Sequence, residues 1–106
     1  MSFRDSIAKM TKAFNSDVAG NLAATIQFDV TGNEPGSYYL HIENGKCTFK
    51  EGVVKSPTVT IHTPSEVWTA ITSGEMDAFQ AYMQGKFRVE GDFGLLMKMR
   101  DLFKLG

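Results

Sequence analysis

The sequence predicts an α+β domain: one five-stranded, mainly antiparallel sheet covered on one face by about four or five helices, in the order α-ββββ-αα-β-α. Three observations carry this. Four consecutive segments alternate apolar and polar residues, as half-buried strands do. The segments on either side repeat at helical spacing and begin with capping residues. A fifth, short alternating segment lies between Gly85 and Gly91, ahead of a last helical stretch. At 106 residues the chain, 1–106, is one domain, long enough for a core but with little surplus.

Phe3, Ile7, Met10 and Phe14 are spaced four, three and four apart, which puts them on one helix face. Ser2 with Asp5 resembles a capping box, so a helix is predicted from there to near Asn15. Ala24, Ile26, Phe28 and Val30 then alternate with Thr25, Gln27, Asp29 and Thr31. Gly32-Asn33-Glu34-Pro35-Gly36 is a turn. Tyr38, Leu40 and Ile42 alternate with Tyr39, His41 and Glu43. Asn44-Gly45 is a strong hairpin signal, leading to Cys47 and Phe49 with Lys46, Thr48 and Lys50 facing the other way. After a loop from Gly52 to Pro57, Val59 and Ile61 alternate with Thr58, Thr60 and His62. Strands with one oily and one wet face suit an antiparallel sheet covered on one side.

Thr63-Pro64-Ser65-Glu66 has the pattern of a capping box with proline at the first helical position. The predicted helix carries Val67, Trp68 and Ile71 and stops at Gly74. Asp77 with Gln80 caps a short helix through Phe79, Tyr82 and Met83, which stops at Gly85. Phe87 and Val89 alternate with Lys86, Arg88 and Glu90 in the fifth strand, and Asp92 caps the final helix.

The net charge of −1 supplies no electrostatic footprint for nucleic acid and no polybasic membrane patch. No apolar run approaches the roughly 20 residues of a membrane span. A single cysteine, Cys47, makes no internal disulfide and fits a reducing compartment. The N-terminus lacks the apolar core of a signal peptide. The final Lys104-Leu105-Gly106 breaks a peroxisomal Ser-Lys-Leu type address, so the expectation is cytoplasmic.

Residues that carry chemistry are few. His41 and His62 occupy outward strand positions; on neighbouring strands they would meet and, with Glu43, offer a metal site, against the plainer reading of surface histidines. Cys47 lies on the apolar phase of its strand without a histidine beside it, which predicts an inert thiol. Asp92 is a helix cap rather than a catalytic acid. Gly74, Gly85, Gly91 and Gly94 lack the spacing of a phosphate cradle, and no serine, histidine and acid form a triad. Gly94, within a helix, would be explained by close approach of a backbone or a ligand.

Apolar surplus is the more informative feature. Leu95, Leu96, Met99, Leu102 and Phe103 form one stripe of the last helix, enough to bury it. Phe93 and Met97 lie outside that stripe, on the arc that holds Arg100 and Lys104. The second apolar side needs a second partner: another protein, a membrane, or an apolar ligand. Met76, Met83, Met97 and Met99 add soft, adaptable surface nearby.

The stretch Tyr82-Met83-Gln84-Gly85-Lys86-Phe87-Arg88-Val89-Glu90-Gly91-Asp92-Phe93-Gly94-Leu95-Leu96-Met97-Lys98-Met99 resembles the C-terminal signature of the sterol carrier protein type-two family: Gly-Lys, a short strand, Gly-Asp or Gly-Asn, then a Leu/Met/Lys-rich helix. Trp68 to Asp77, Asn44-Gly45-Lys46 and Pro57 to Ile61 are similar to its preceding segments. The resemblance covers nearly the whole chain and is most specific from Pro57 to Met99. It implies an apolar tunnel between sheet and helices that carries fatty acids, fatty acyl-coenzyme A, sterols or phospholipids without chemistry on them. It further implies a lining of Trp68, Ile71, Phe79, Met83, Phe87, Val89, Leu95, Leu96, Met99 and Phe103. The bulky Phe and Met content also leaves a small or filled cavity open.

The expectation is a non-catalytic lipid carrier with no cofactor, no metal, no nucleic acid and no stable membrane insertion. The alternative is an interaction or oligomerisation module, a homodimer or partner-bound domain with a filled core. A small enzyme recruiting His41, His62 or an acid is the third reading.

Overall fold

The computed structural model describes residues 2–105, so the tripeptide reading that rests on Gly106 lies outside the described residues. Ser2 starts helix α1 (Phe3–Lys12) with a reciprocal box: its Oγ accepts from the Asp5 N–H at 3.0 Å, and the Asp5 carboxylate accepts from the Ser2 N–H at 3.3 Å. Phe3, Ile7 and Met10 are buried beneath it. The helix ends at Lys12, short of Asn15. Asn15 instead caps an unanticipated helix, α2 (Ser16–Ala19), its side-chain oxygen accepting from the Asp17 and Val18 N–H groups.

The four predicted strands form as β1 (Ala24–Thr31), β2 (Gly36–Glu43), β3 (Lys46–Glu51) and β4 (Val59–Pro64). Asn44 and Gly45, at φ 54° and 72°, close the β2–β3 hairpin as left-handed turn residues. With β5 (Arg88–Gly91) the sheet order is β3-β2-β1-β4-β5. Three pairings are antiparallel, whereas β1 and β4 run parallel in the middle, Ile26 opposite Val59 and Phe28 opposite Ile61. Ile26, Phe28, Leu40, Ile42, Val59 and Ile61 fill the inner face. Gln27 points to the opposite face yet is buried. Its amide donates to the Tyr38 and Gly52 carbonyls and accepts from the Val54 N–H, which fastens the loop after β3 over the sheet.

Helix α3 (Ser65–Ser73) starts one residue later than a cap at Thr63 would place it, and the expected box is absent. Thr63 stays extended because it pairs with Val30 in the β1–β4 ladder, leaving Pro64 as the cap. Glu66 turns outward to accept from the Asn33 N–H at 3.0 Å and the Ser65 hydroxyl at 2.8 Å. The Asn33 bond leads in holding this carboxyl below its ordinary pKa. Asp77 caps α4 (Ala78–Met83) through the Gln80 N–H at 2.9 Å. Helices α1 and α3 pack together over the inner face, with Phe28 edge-on to Phe3 and to Trp68.

Asp92 caps α5 (Phe93–Phe103), accepting from the Leu95 N–H at 3.2 Å. Asp92→Ala should therefore cost about 0.5–2 kcal/mol. The loss of amide-exchange protection should concentrate in the first turns of α5, because its far end is held by the Arg100–Asp77 pair and by the Asn15 N–H bonded to the Leu102 carbonyl at 2.8 Å; protection unchanged there would show that the cap is dispensable. Among the described residues no helix is long and apolar enough to cross a membrane.

Candidate functional site

Helix α3 sets Trp68 and Ile71 on its buried side, three residues apart. Trp68 continues into an aromatic row. It meets Phe87 edge-on at 5.7 Å, Phe87 meets Tyr82 at 5.7 Å, and Tyr82 meets Phe93 edge-on at 5.2 Å. Phe87 sits just before β5 with Lys86 and Arg88 exposed on either side of it, so one short segment supplies both an apolar wall and a charged rim.

These side chains and α5 enclose an apolar cavity of about 130 Å³. Its walls are Trp68, Ala78, Phe79, Tyr82, Phe87, Phe93, Leu96, Met97, Met99, Arg100 and Leu105. Trp68, Phe87, Met99 and Leu105 form a buried floor. Phe79, Phe93 and Met97 are exposed and form a rim open to solvent. Among the described residues Arg100 is the only side chain in the wall charged at neutral pH, and it is held by Asp77 at 3.1 Å. A space of this size takes a benzene-sized guest. It has a mainly apolar lining with one oriented charged group, the usual make-up of a small-molecule site.

Of the ten predicted lining residues, Trp68, Phe79, Phe87, Leu96 and Met99 stand in the wall and five do not. Ile71, Leu95 and Phe103 are buried in the core instead. Val89 is half-buried in β5 opposite Ile61. Met83 is 68% exposed, one helical turn beyond Phe79. Sequence reasoning missed Ala78, Tyr82, Phe93, Met97, Arg100 and Leu105 as wall residues. Phe93 and Met97 had been visible as surplus apolar positions; nothing local marks the others.

Among the described residues no strand residue lines this space, so it lies among the helices rather than over the sheet, unlike the implied tunnel. Bulk is the reason: Phe3, Phe28 and Trp68 close the centre of the inner face. A second, wider groove of about 480 Å³ at the end of the sheet is walled largely by polar residues, among them Asp29, His62, Lys86 and Arg88.

The chemistry-bearing residues stay apart. Strand β1 separates β2 from β4, so His41 and His62 do not meet. His41 contacts Thr25 Oγ1 and Glu43, each at 3.0 Å, while His62 lies 3.4 Å from both Asp29 and Glu90. Burial pushes the Cys47 thiol up to about 11, which keeps it protonated and unreactive at neutral pH.

The fold and cavity define a class: small α+β domains that cover one face of a mixed sheet with helices and leave an apolar space under the last of them. Residues 7–104 match the SCP-2 sterol transfer family, and the chain belongs to that family. It is 27% identical over 89 residues to hydroxysteroid dehydrogenase-like protein 2 of Xenopus tropicalis, covering 83% of this chain and 21% of that protein. It is also 27% identical over 89 residues to sterol carrier protein 2 of Homo sapiens, covering 84% of this chain and 16% of that one. The chain thus spans about a fifth of the length of these curated relatives. Among solved structures, palmitated SCP2L2 from Aedes aegypti has the same fold: TM-score 0.79, 21% identity, 97% of this chain and 95% of that one covered.

Proposed function

We propose that this domain binds and carries a lipid without chemical change, holding its apolar part against Trp68, Phe79, Tyr82, Phe87, Leu96 and Met99. The observation that carries the reading is the solvent-open apolar cavity, whose single charged wall residue is already paired with Asp77. Family membership supports it, as does the complex of Aedes aegypti sterol carrier protein-2 with palmitate, whose fold is similar. Fatty acids, fatty acyl-coenzyme A, sterols and phospholipids are the ligand classes in play, and the carrier works in the cytoplasm.

The energetics set the expected affinity. A chain of about 16 carbons gains of order 12 kcal/mol on full burial at about 0.8 kcal/mol per methylene. Association and ordering cost about 4–15 kcal/mol, so weak to micromolar binding is expected. A cavity of about 130 Å³ takes only part of such a chain, and the exposed rim of Phe79, Phe93 and Met97 offers apolar surface to the rest.

Leu96→Trp tests this directly. Leu96 is half-buried at the cavity, so the indole would grow into empty space rather than into packed core. Binding of a fluorescent fatty acid should fall about tenfold or more, a loss of at least about 1.4 kcal/mol, with little change in the unfolding midpoint. Unchanged affinity in the folded variant would remove the cavity from the binding site.

A further inference from the structure

We propose that the exposed face of α4 and α5 is a docking surface for a lipid bilayer, seating the cavity mouth on the membrane with which it exchanges ligand. This rests on the carrier reading above. Five large hydrophobic side chains are exposed among the described residues, and four of them, Phe79, Met83, Phe93 and Met97, stand on these two helices. Their exposures are 52%, 68%, 44% and 58%. Phe79, Phe93 and Met97 are also the cavity rim, so the patch and the mouth are one surface.

The charge pattern suits a bilayer. The solvated side of α4 is Phe79, Gln80, Met83 and Gln84, which carries no charge to desolvate. On α5, Phe93, Met97 and Arg100 fall within an arc of about 60°, at about 100° per residue, and Lys104 follows as the left-handed residue that ends the helix. Phe93 and Met97 supply an exposed apolar stretch, and the exposed Lys104 just beyond the helix is placed to meet anionic head groups beside it. Asp77, paired to Arg100, and Asp101, just beside the stripe, are the nearby acids and limit the anionic preference to a modest one. A protein partner covering this patch would close the mouth. A bilayer covering it presents the mouth with its own ligand and shields the acyl chain from water during transfer.

Flotation of unliganded protein with vesicles of phosphatidylcholine, alone or mixed with phosphatidylserine, tests the docking. Wild type should float with both, more with the mixed vesicles at low salt. Met83→Glu and Lys104→Glu alter exposed residues outside the cavity wall, so fatty-acid binding in solution should persist. Met83→Glu should lower vesicle partitioning roughly tenfold, and slow fatty-acid transfer to vesicles in parallel. Lys104→Glu should remove the preference for phosphatidylserine. Wild type that does not float, or Met83→Glu that floats equally well, would overturn the proposal. A concentration-dependent dimer lost in Met83→Glu, without flotation, would assign the face to a second copy of the chain. The two readings fail separately: fatty-acid binding without flotation sinks the docking alone, and flotation without fatty-acid binding sinks the carrier function alone.

Discussion

Replacing Trp68 with alanine is expected to cost about 3–5 kcal/mol of folding stability. Trp68 is 1% exposed and joins every layer of the domain. Its ring lies edge-on to Phe28 of the sheet at 5.2 Å and to Phe87 at 5.7 Å. Its indole N–H donates to the Met10 sulfur of α1 at 3.2 Å. Alanine removes these contacts and merges the vacated space with the neighbouring cavity, so collapse can recover little of the loss. Domains of this size have about 5–15 kcal/mol in total, which leaves the variant marginal. Urea unfolding followed by far-ultraviolet circular dichroism measures this, since Trp68 is the sole tryptophan and its fluorescence goes with it. Trp68→Phe keeps most of the ring contacts and should lose far less. Equal losses in the two variants would make the indole N–H bond, not packing, the dominant contribution.

Gly91→Ala should cost about 3 kcal/mol or more through a different mechanism, backbone strain plus collision. Gly91 has φ 104°, a region that side chains rarely adopt. A Cβ there would lie 2.5 Å from the Thr58 carbonyl oxygen and 3.0 Å from the Val59 Cα, both backbone atoms of the neighbouring segment. The same Thr58 carbonyl accepts from the Asp92 N–H at 2.9 Å. Moving Gly91 away thus displaces the cap of α5 along with β5. Gly94→Ala is the control: its Cβ would meet only the Asp92 Oδ1, at 3.1 Å. There the gain in helix propensity, up to about 1 kcal/mol, works against a crowded cap. If the two alanines prove equally costly in chemical unfolding, the Thr58 contact is not what requires Gly91.

Strand phases were legible because one sheet face is covered and the other is wet, so Ile26, Phe28, Leu40, Ile42, Val59 and Ile61 announce themselves by alternation. Alternation is silent about neighbours. That β4 lies parallel to β1 depends on tertiary packing, and the same ladder overrode the capping pattern at Thr63. Helix α2 spans four residues, too few for a period, and only the Asn15 cap marks it. In the site, helical spacing identified buried faces but not which part of each face lines empty space. Ile71, Leu95 and Phe103 share stripes with Trp68, Leu96 and Met99 yet end in solid core. The difference is set by how α3, α4 and α5 cross, which no single segment encodes. Phe93 and Met97 were detectable for the opposite reason: they exceeded what one core could use.

The parallel seam at the middle of the sheet also governs the order of assembly. The β2–β3 hairpin closes across the two residues Asn44 and Gly45, whereas Thr25 bonds to Thr58 across a separation of 33. Loop closure costs about 0.6 kcal/mol per doubling of length, so the seam starts roughly 2 kcal/mol behind the hairpin. Strand β4 gains a partner only once β1 is in place, and β5 gains one only through β4. The helix that roofs the cavity is anchored through Asp92 to Thr58, at the start of that seam. Loop-closure entropy therefore favours the outer hairpin forming early and the cavity under α5 closing last, after the central seam.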